Sequence, residues 1–126
     1  MKSKKQKLKE KCIKKAKVIA KERAGYVCEK CGRSKEEGWQ MHGAHIIPVS
    51  YGHTAANPDN ILCLCAKCHS MGKESAHDNP TVFTHWLDTK HPGRAEKMWK
   101  LAQPTDKVDW EQKLKELECY QSSSQH

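Results

Sequence analysis

A chain of 126 residues is long enough for one domain with short extensions and too short for two independent cores. Hydrophobic residues make up 37% and charged residues 30%, so apolar burial is thin and a staple such as a metal, a disulfide or a partner is expected. The Lys-rich start lacks an apolar run of signal-peptide length, and no segment approaches the ~20 apolar residues that cross a bilayer, so no membrane role and a cytoplasmic location are expected. In that compartment seven cysteines, an odd number, point to metal binding rather than disulfides.

The net charge of +8 is unevenly placed. Residues 1–24 hold eleven Lys and Arg against Glu10 and Glu22, so this segment carries +9 and the rest of the chain −1. Leu8, Cys12, Lys15 or Ala16, and Ile19 recur at three- and four-residue steps, which predicts a helix over 8–24 stopped by Gly25. The segment 1–24 thus reads as a basic helical arm that neutralises phosphate without reading base sequence, or as a helix that only aids solubility. Lys4, Lys5, Lys7, Lys11, Lys14 and Lys15 are its candidate DNA contacts, with Lys67 and Lys73 nearer the middle of the chain.

Two Cys-x-x-Cys knuckles, Cys28/Cys31 and Cys65/Cys68, follow with 33 residues between them. Tetrahedral zinc takes four thiolates, and each tight turn can supply two, so these four are the candidate structural zinc ligands. Four thiolates leave no position for water, so such an ion holds the fold without running chemistry. Cys63 offers a rival Cys63-x-Cys65 spacing, but it falls in an apolar run and the two-residue spacer favours Cys65 with Cys68. Cys12 and Cys119 are bystanders in this reading. Between the knuckles, 39–49 predicts a strand, 50–59 a loop and 60–64 a second strand; His69 opens a helix weakened by Gly72. Beyond Pro80, helices are predicted over 81–88, 94–102 and 106–119, with a disordered polar tail over 121–126. The organisation expected is an arm (1–24), a stapled core (25–80), a helical extension (81–120) and that tail.

Inside the knuckles stand His45-Ile46-x-Pro48 and Asn60-Ile61-x-x-Leu64-Cys65-x-x-Cys68-His69. These motifs resemble the HNH nucleases, closely over residues 28–69, and His77-Asp78-Asn79-Pro80 resembles phage-borne members. The resemblance implies an α+β fold, a small ββα-metal core with a four-cysteine zinc site, flanked here by the basic N-terminal helix and short C-terminal helices. It also implies a divalent-metal-dependent DNA endonuclease that leaves a 5′-phosphate and a 3′-hydroxyl. His45 matches the general base, Asn60 the residue that ties down the loop and orients His45, and His69 a ligand of the catalytic ion, Mg²⁺, Mn²⁺ or Ni²⁺. An imidazole titrating near ~6.5 suits proton abstraction from water at neutral pH.

The chain departs from the family at two metal-ligand positions, which hold Ala44 and Lys73. His42, His53 and His77 are the candidate replacements. Alternate strand residues share a face, which places His42 first. His77 comes close behind, although a continuous helix would put it about 12 Å from His69, so Gly72 must break the helix and 71–76 must fold back. His53, on a loop, is the weakest anchor. An alternative stays open: a zinc-stapled DNA-binding module whose HNH site is inactive or regulatory. DNA is the expected partner, with phage packaging or recombination proteins as further candidates by analogy, and no small-molecule cofactor is expected.

Overall fold

The structure, a computed structural model, describes residues 2–72 and 75–124, the last four as backbone alone. Helix α1 (Lys4–Arg23) starts a turn earlier than its apolar spacing predicts, because the Ser3 hydroxyl caps it by accepting from Gln6 N–H at 3.1 Å. It ends where expected, at Gly25, whose φ of +64° turns the chain away.

Strands β1 (Met41–His45) and β2 (Ile61–Cys65) pair antiparallel, with His42 opposite Leu64, Gly43 opposite Cys63 and His45 opposite Ile61. The first strand is shorter than predicted. After His45 the backbone leaves the ladder to meet Asn60, whose carbonyl accepts from Ile46 N–H at 2.8 Å and whose side chain accepts from Ile47 N–H at 2.9 Å. The expected loop is mostly ordered, into a short helix α2 (Gly52–Ala55) and a 3₁₀ turn (Pro58–Asn60). The expected helix after the second knuckle is a single π-helical turn, Lys67–Met71, that ends at an extended Gly72.

Helices α3 (Pro80–Lys90), α4 (Arg94–Leu101) and α5 (Trp110–Ser124) complete the chain. Asn79 caps α3 by accepting from Val82 N–H, with Pro80 in the first turn, and Gly93 at φ +79° turns the chain into α4. The last helix corrects the predicted tail, since its backbone is helical through Ser124; residues 125 and 126 lie outside the described residues.

Two apolar clusters share the hairpin. One joins Ala44, Leu62 and Leu64 to Phe83, Leu87 and the knuckle cysteines Cys28, Cys65 and Cys68. The other joins Cys12, Ala16, Ile19 and Ala20 of α1 to Ile61, Ala55, Trp110 and Leu117. The segment 1–24 is therefore no free arm: its apolar stripe is buried, and α5 is its partner. Burying Ile19 alone contributes roughly 1.5–3 kcal/mol, so the two chain ends together hold one side of the hairpin. No helix among the described residues is long and apolar enough to cross a membrane.

Candidate active site

The first knuckle is a closed turn: Cys28 N–H donates to Arg33 carbonyl at 2.8 Å, and Gly32, at φ +82°, donates back to Cys28 carbonyl at 3.0 Å. It is sewn to β2 through Glu29, whose N–H donates to Cys63 carbonyl at 2.9 Å and whose carboxylate accepts from Cys63 N–H at 2.6 Å. The sulfurs of Cys28, Cys31, Cys65 and Cys68 all lie within 4.8 Å of one another, and those of Cys31 and Cys65 are 3.6 Å apart. Tetrahedral thiolates at ~2.3 Å from zinc stand at about that separation, so the four could hold a zinc ion. Burial pushes the Cys31 thiol up, but hydrogen bonds from Arg33 outweigh it and bring it down to about 6. Cys63 is outside the cluster; burial, with Glu29 beside it, pushes its thiol up to about 11 and keeps it neutral.

The histidines gather at β1 and the turn after β2. The Nδ1 atoms of His42 and His69 are 2.8 Å apart, with the rings edge to face. His77 folds back as required: Gly72 is extended, Ala76 N–H donates to Cys68 carbonyl at 3.0 Å, and His77 N–H donates to His69 carbonyl at 3.2 Å. The His77 and His69 rings then lie 4.4 Å apart between centroids. Burial lowers the His69 imidazole to about 4, and His77, His42 and Lys17 push the same way. A pair of ring nitrogens that share at most one proton, in a site that rejects further protons, suits a divalent cation. Ala44, at the usual ligand position, is instead a buried core residue.

His45 points elsewhere on the strand. Its Nε2 lies 2.7 Å from the Ala55 carbonyl, which can only accept, so the proton sits on Nε2 and Nδ1 keeps its lone pair. Burial lowers its pKa below 6.5, against the Ala55 hydrogen bond, and Lys17 adds to the lowering. Asn60 is fully buried, and its side chain bonds backbone rather than the His45 ring. Its amide donates to Ile47 and Thr54 carbonyls, both at 3.0 Å, and so fixes the 46–55 loop that carries Ala55. It orients His45 through the backbone, one step removed from the expected contact.

Among the described residues, His53 falls outside the cluster. His53 Nε2 is 2.8 Å from Asp106 carbonyl and 3.3 Å from its carboxylate, which ties α2 to the segment before α5. Lys73 lies outside the described residues. Lys4, Lys5, Lys7, Lys11, Lys14 and Lys67 are exposed, and Lys15 is half-buried. One residue was missed. Lys17 lays its stem across Gly43, between His42 and His45, so closely that a methyl group on Gly43 would stand 2.7 Å from Lys17 Cγ. The signal was the glycine between two histidines, a point of close approach.

A family comparison decides what this frame is. Residues 28–74 match the model of the HNH endonucleases. Residues 28–74 are an HNH domain. The mixed helix-and-hairpin fold and the four-cysteine cluster are consistent with the ββα-metal architecture of that family. Members of the HNH family are generally nucleases that use divalent metals, so this domain points to a nuclease or nucleic-acid-related function. No curated protein and no solved structure matches the chain.

Proposed function

We propose that the protein is a divalent-metal-dependent DNA endonuclease stapled by zinc at Cys28, Cys31, Cys65 and Cys68. The observation that carries this reading is His45 fixed as the Nε2–H tautomer by Ala55, on the strand that also carries His42 of the His42–His69–His77 cluster. A binding module has no need of an imidazole held in one tautomer with a free lone pair on the strand that carries a cation site.

In this reading His45 Nδ1 takes the proton of the attacking water. Asn60 holds the loop so that the imidazole does not rotate away. His69, His42 and His77 hold the catalytic ion, which would neutralise charge on the phosphate and its leaving oxygen. Imidazole donors with no carboxylate among them favour Ni²⁺ over Mg²⁺ or Mn²⁺. The exposed lysines of α1 face outward from a buried stripe, which supports a sequence-independent grip on DNA phosphates.

Cleavage of supercoiled plasmid by the zinc-loaded protein with Ni²⁺, Mn²⁺ or Mg²⁺, and with no ion added, tests the proposal. Nicking that depends on the added ion supports it. Binding without nicking under every ion would favour the zinc-stapled binding module, a reading to which the core residue Ala44 at a ligand position lends its support.

A further inference from the structure

Lys17 is the least expected residue in the candidate site. Ten other cations share its segment, and nothing in the spacing sets it apart. The fold does. Its Cβ and Cγ would stand 2.9 and 2.7 Å from a methyl group on Gly43, so the stem is pressed onto β1 at the residue between His42 and His45. Ile61 Cγ2, 3.2 Å from the same point, walls the contact from the second strand. Lys17 is half-buried. Among the described residues it makes no ion pair and no side-chain hydrogen bond. Other cations of the segment do otherwise: Lys2 pairs with Glu10, Lys9 covers the Trp110 ring, and Arg23 pairs with Asp59.

A cation held without an anion costs desolvation and repels protons from the histidines beside it. The charge of Lys17 acts on His45, two residues from the Gly43 that its stem crosses. Such an arrangement is stabilised when an anion arrives between the same groups.

We propose that Lys17 contacts the scissile phosphate, placing the nucleic-acid backbone between α1 and β1 so that His45 Nδ1 faces the attacked phosphorus. This rests on the nuclease reading for the word scissile, whereas the phosphate contact does not. The lysine row of α1 then has a direction. Lys14, about 4.5 Å along the helix axis, and Lys7, about 15 Å along it, follow the strand away from the site.

The test uses the full-length protein with Lys17→Met, which keeps the stem against Gly43 and removes the charge, Lys17→Arg, and Lys100→Met, an exposed lysine of α4 paired with Glu96, as a control. Duplex binding by the zinc-loaded protein with no other divalent ion added, across a salt series, reads the phosphate contact without any cleavage. Lys17→Met should reduce the slope of log K against log salt by about 0.9, and Lys17→Arg should restore it. An unchanged slope overturns the contact, whether or not the wild type cuts DNA. Turnover at saturating DNA and ion reads the scissile position. Lys17→Met should lose at least tenfold, while Lys100→Met keeps both its slope and its turnover. A wild type that cuts beside a Lys17→Met variant with unchanged turnover overturns the scissile assignment and leaves the nuclease reading standing. A wild type that never cuts overturns the nuclease reading and, with it, the scissile assignment, and the salt slope still decides the contact.

Discussion

His77 stands with its ring 4.4 Å from that of His69, although a continuous helix would have carried the two well apart. The return depends on Gly72, whose extended backbone ends the π-helical turn and sends the chain back along it. A methyl group at Gly72 would stand 2.9 Å from the Lys67 carbonyl oxygen, so no larger residue fits there without moving backbone.

Metal dependence is the first consequence. His42→Ala and His77→Ala should each raise the ion concentration needed for half-maximal cutting at least tenfold, and Ni²⁺ should act at lower concentration than Mg²⁺. His53→Ala should behave like wild type, because its ring is engaged by Asp106. Ion titrations of plasmid cutting check this, and three unchanged midpoints would leave His69 as the sole imidazole ligand.

The cysteine cluster should be inseparable from the fold. Strong chelation, or Cys28→Ser, should abolish the cooperative thermal transition, because the four sulfurs anchor both knuckles to a hairpin with few other large side chains. Calorimetry on metal-stripped protein is the check; a full transition at an unchanged temperature would mean that the cysteines need no ion.

Much of this centre was legible in the sequence, and the reason is local spacing. Cys28 with Cys31, Cys65 with Cys68, and His45 with Asn60 and His69 are fixed by short-range geometry that a motif records. The role of α1 was not legible. Its stripe of Cys12, Ala16 and Ile19 looked like one side of a detached arm, because its partners Trp110 and Leu117 lie some hundred residues further on. Lys17 was hidden for the same reason: only the docking of α1 onto Gly43 separates it from its neighbours. The Ala55 carbonyl that orients His45 carries no side-chain signature at all.

That docking changes what a deletion would report. Removing 2–17 takes Cys12 and Ala16 out of a buried cluster and should unfold the protein. Replacing Lys4, Lys7, Lys11 and Lys14 by Gln removes exposed charge alone. The fourfold variant should keep its melting temperature, weaken binding to all DNA sequences, and lose about 0.9 of salt slope per phosphate contact removed. An unchanged slope would make the outer face of α1 a solubility device.

Asn60 supports the loop with three hydrogen bonds from a fully buried side chain. Asn60→Ala leaves Ile47 N–H and the Ile47 and Thr54 carbonyls without that partner, at a cost of about 3 kcal/mol. Denaturant unfolding should show a lower midpoint with an unchanged m-value. A variant as stable as wild type would contradict the hydrogen-bond account.

Acid should act on both function and stability. Burial holds His45 below 6.5, so the acid limb of kcat/KM should fall below that pH, and Lys17→Met should move it upward. In metal-free protein, burial keeps His69 at about 4, so the unfolded chain takes up protons that the folded chain refuses between 6.5 and about 4. Stability present above pH 6.5 is therefore lost as pH falls through that window. Unfolding midpoints across it check the sign; a midpoint that rises on acidification would be wrong for these histidines.

The central claim is that His45 is the general base, and single-turnover cutting by His45→Ala tests it most directly. With duplex DNA bound and ion saturating, the variant should bind within about twofold of wild type and cut at least 100-fold more slowly. A His45→Ala protein that cuts at the wild-type rate would contradict the account.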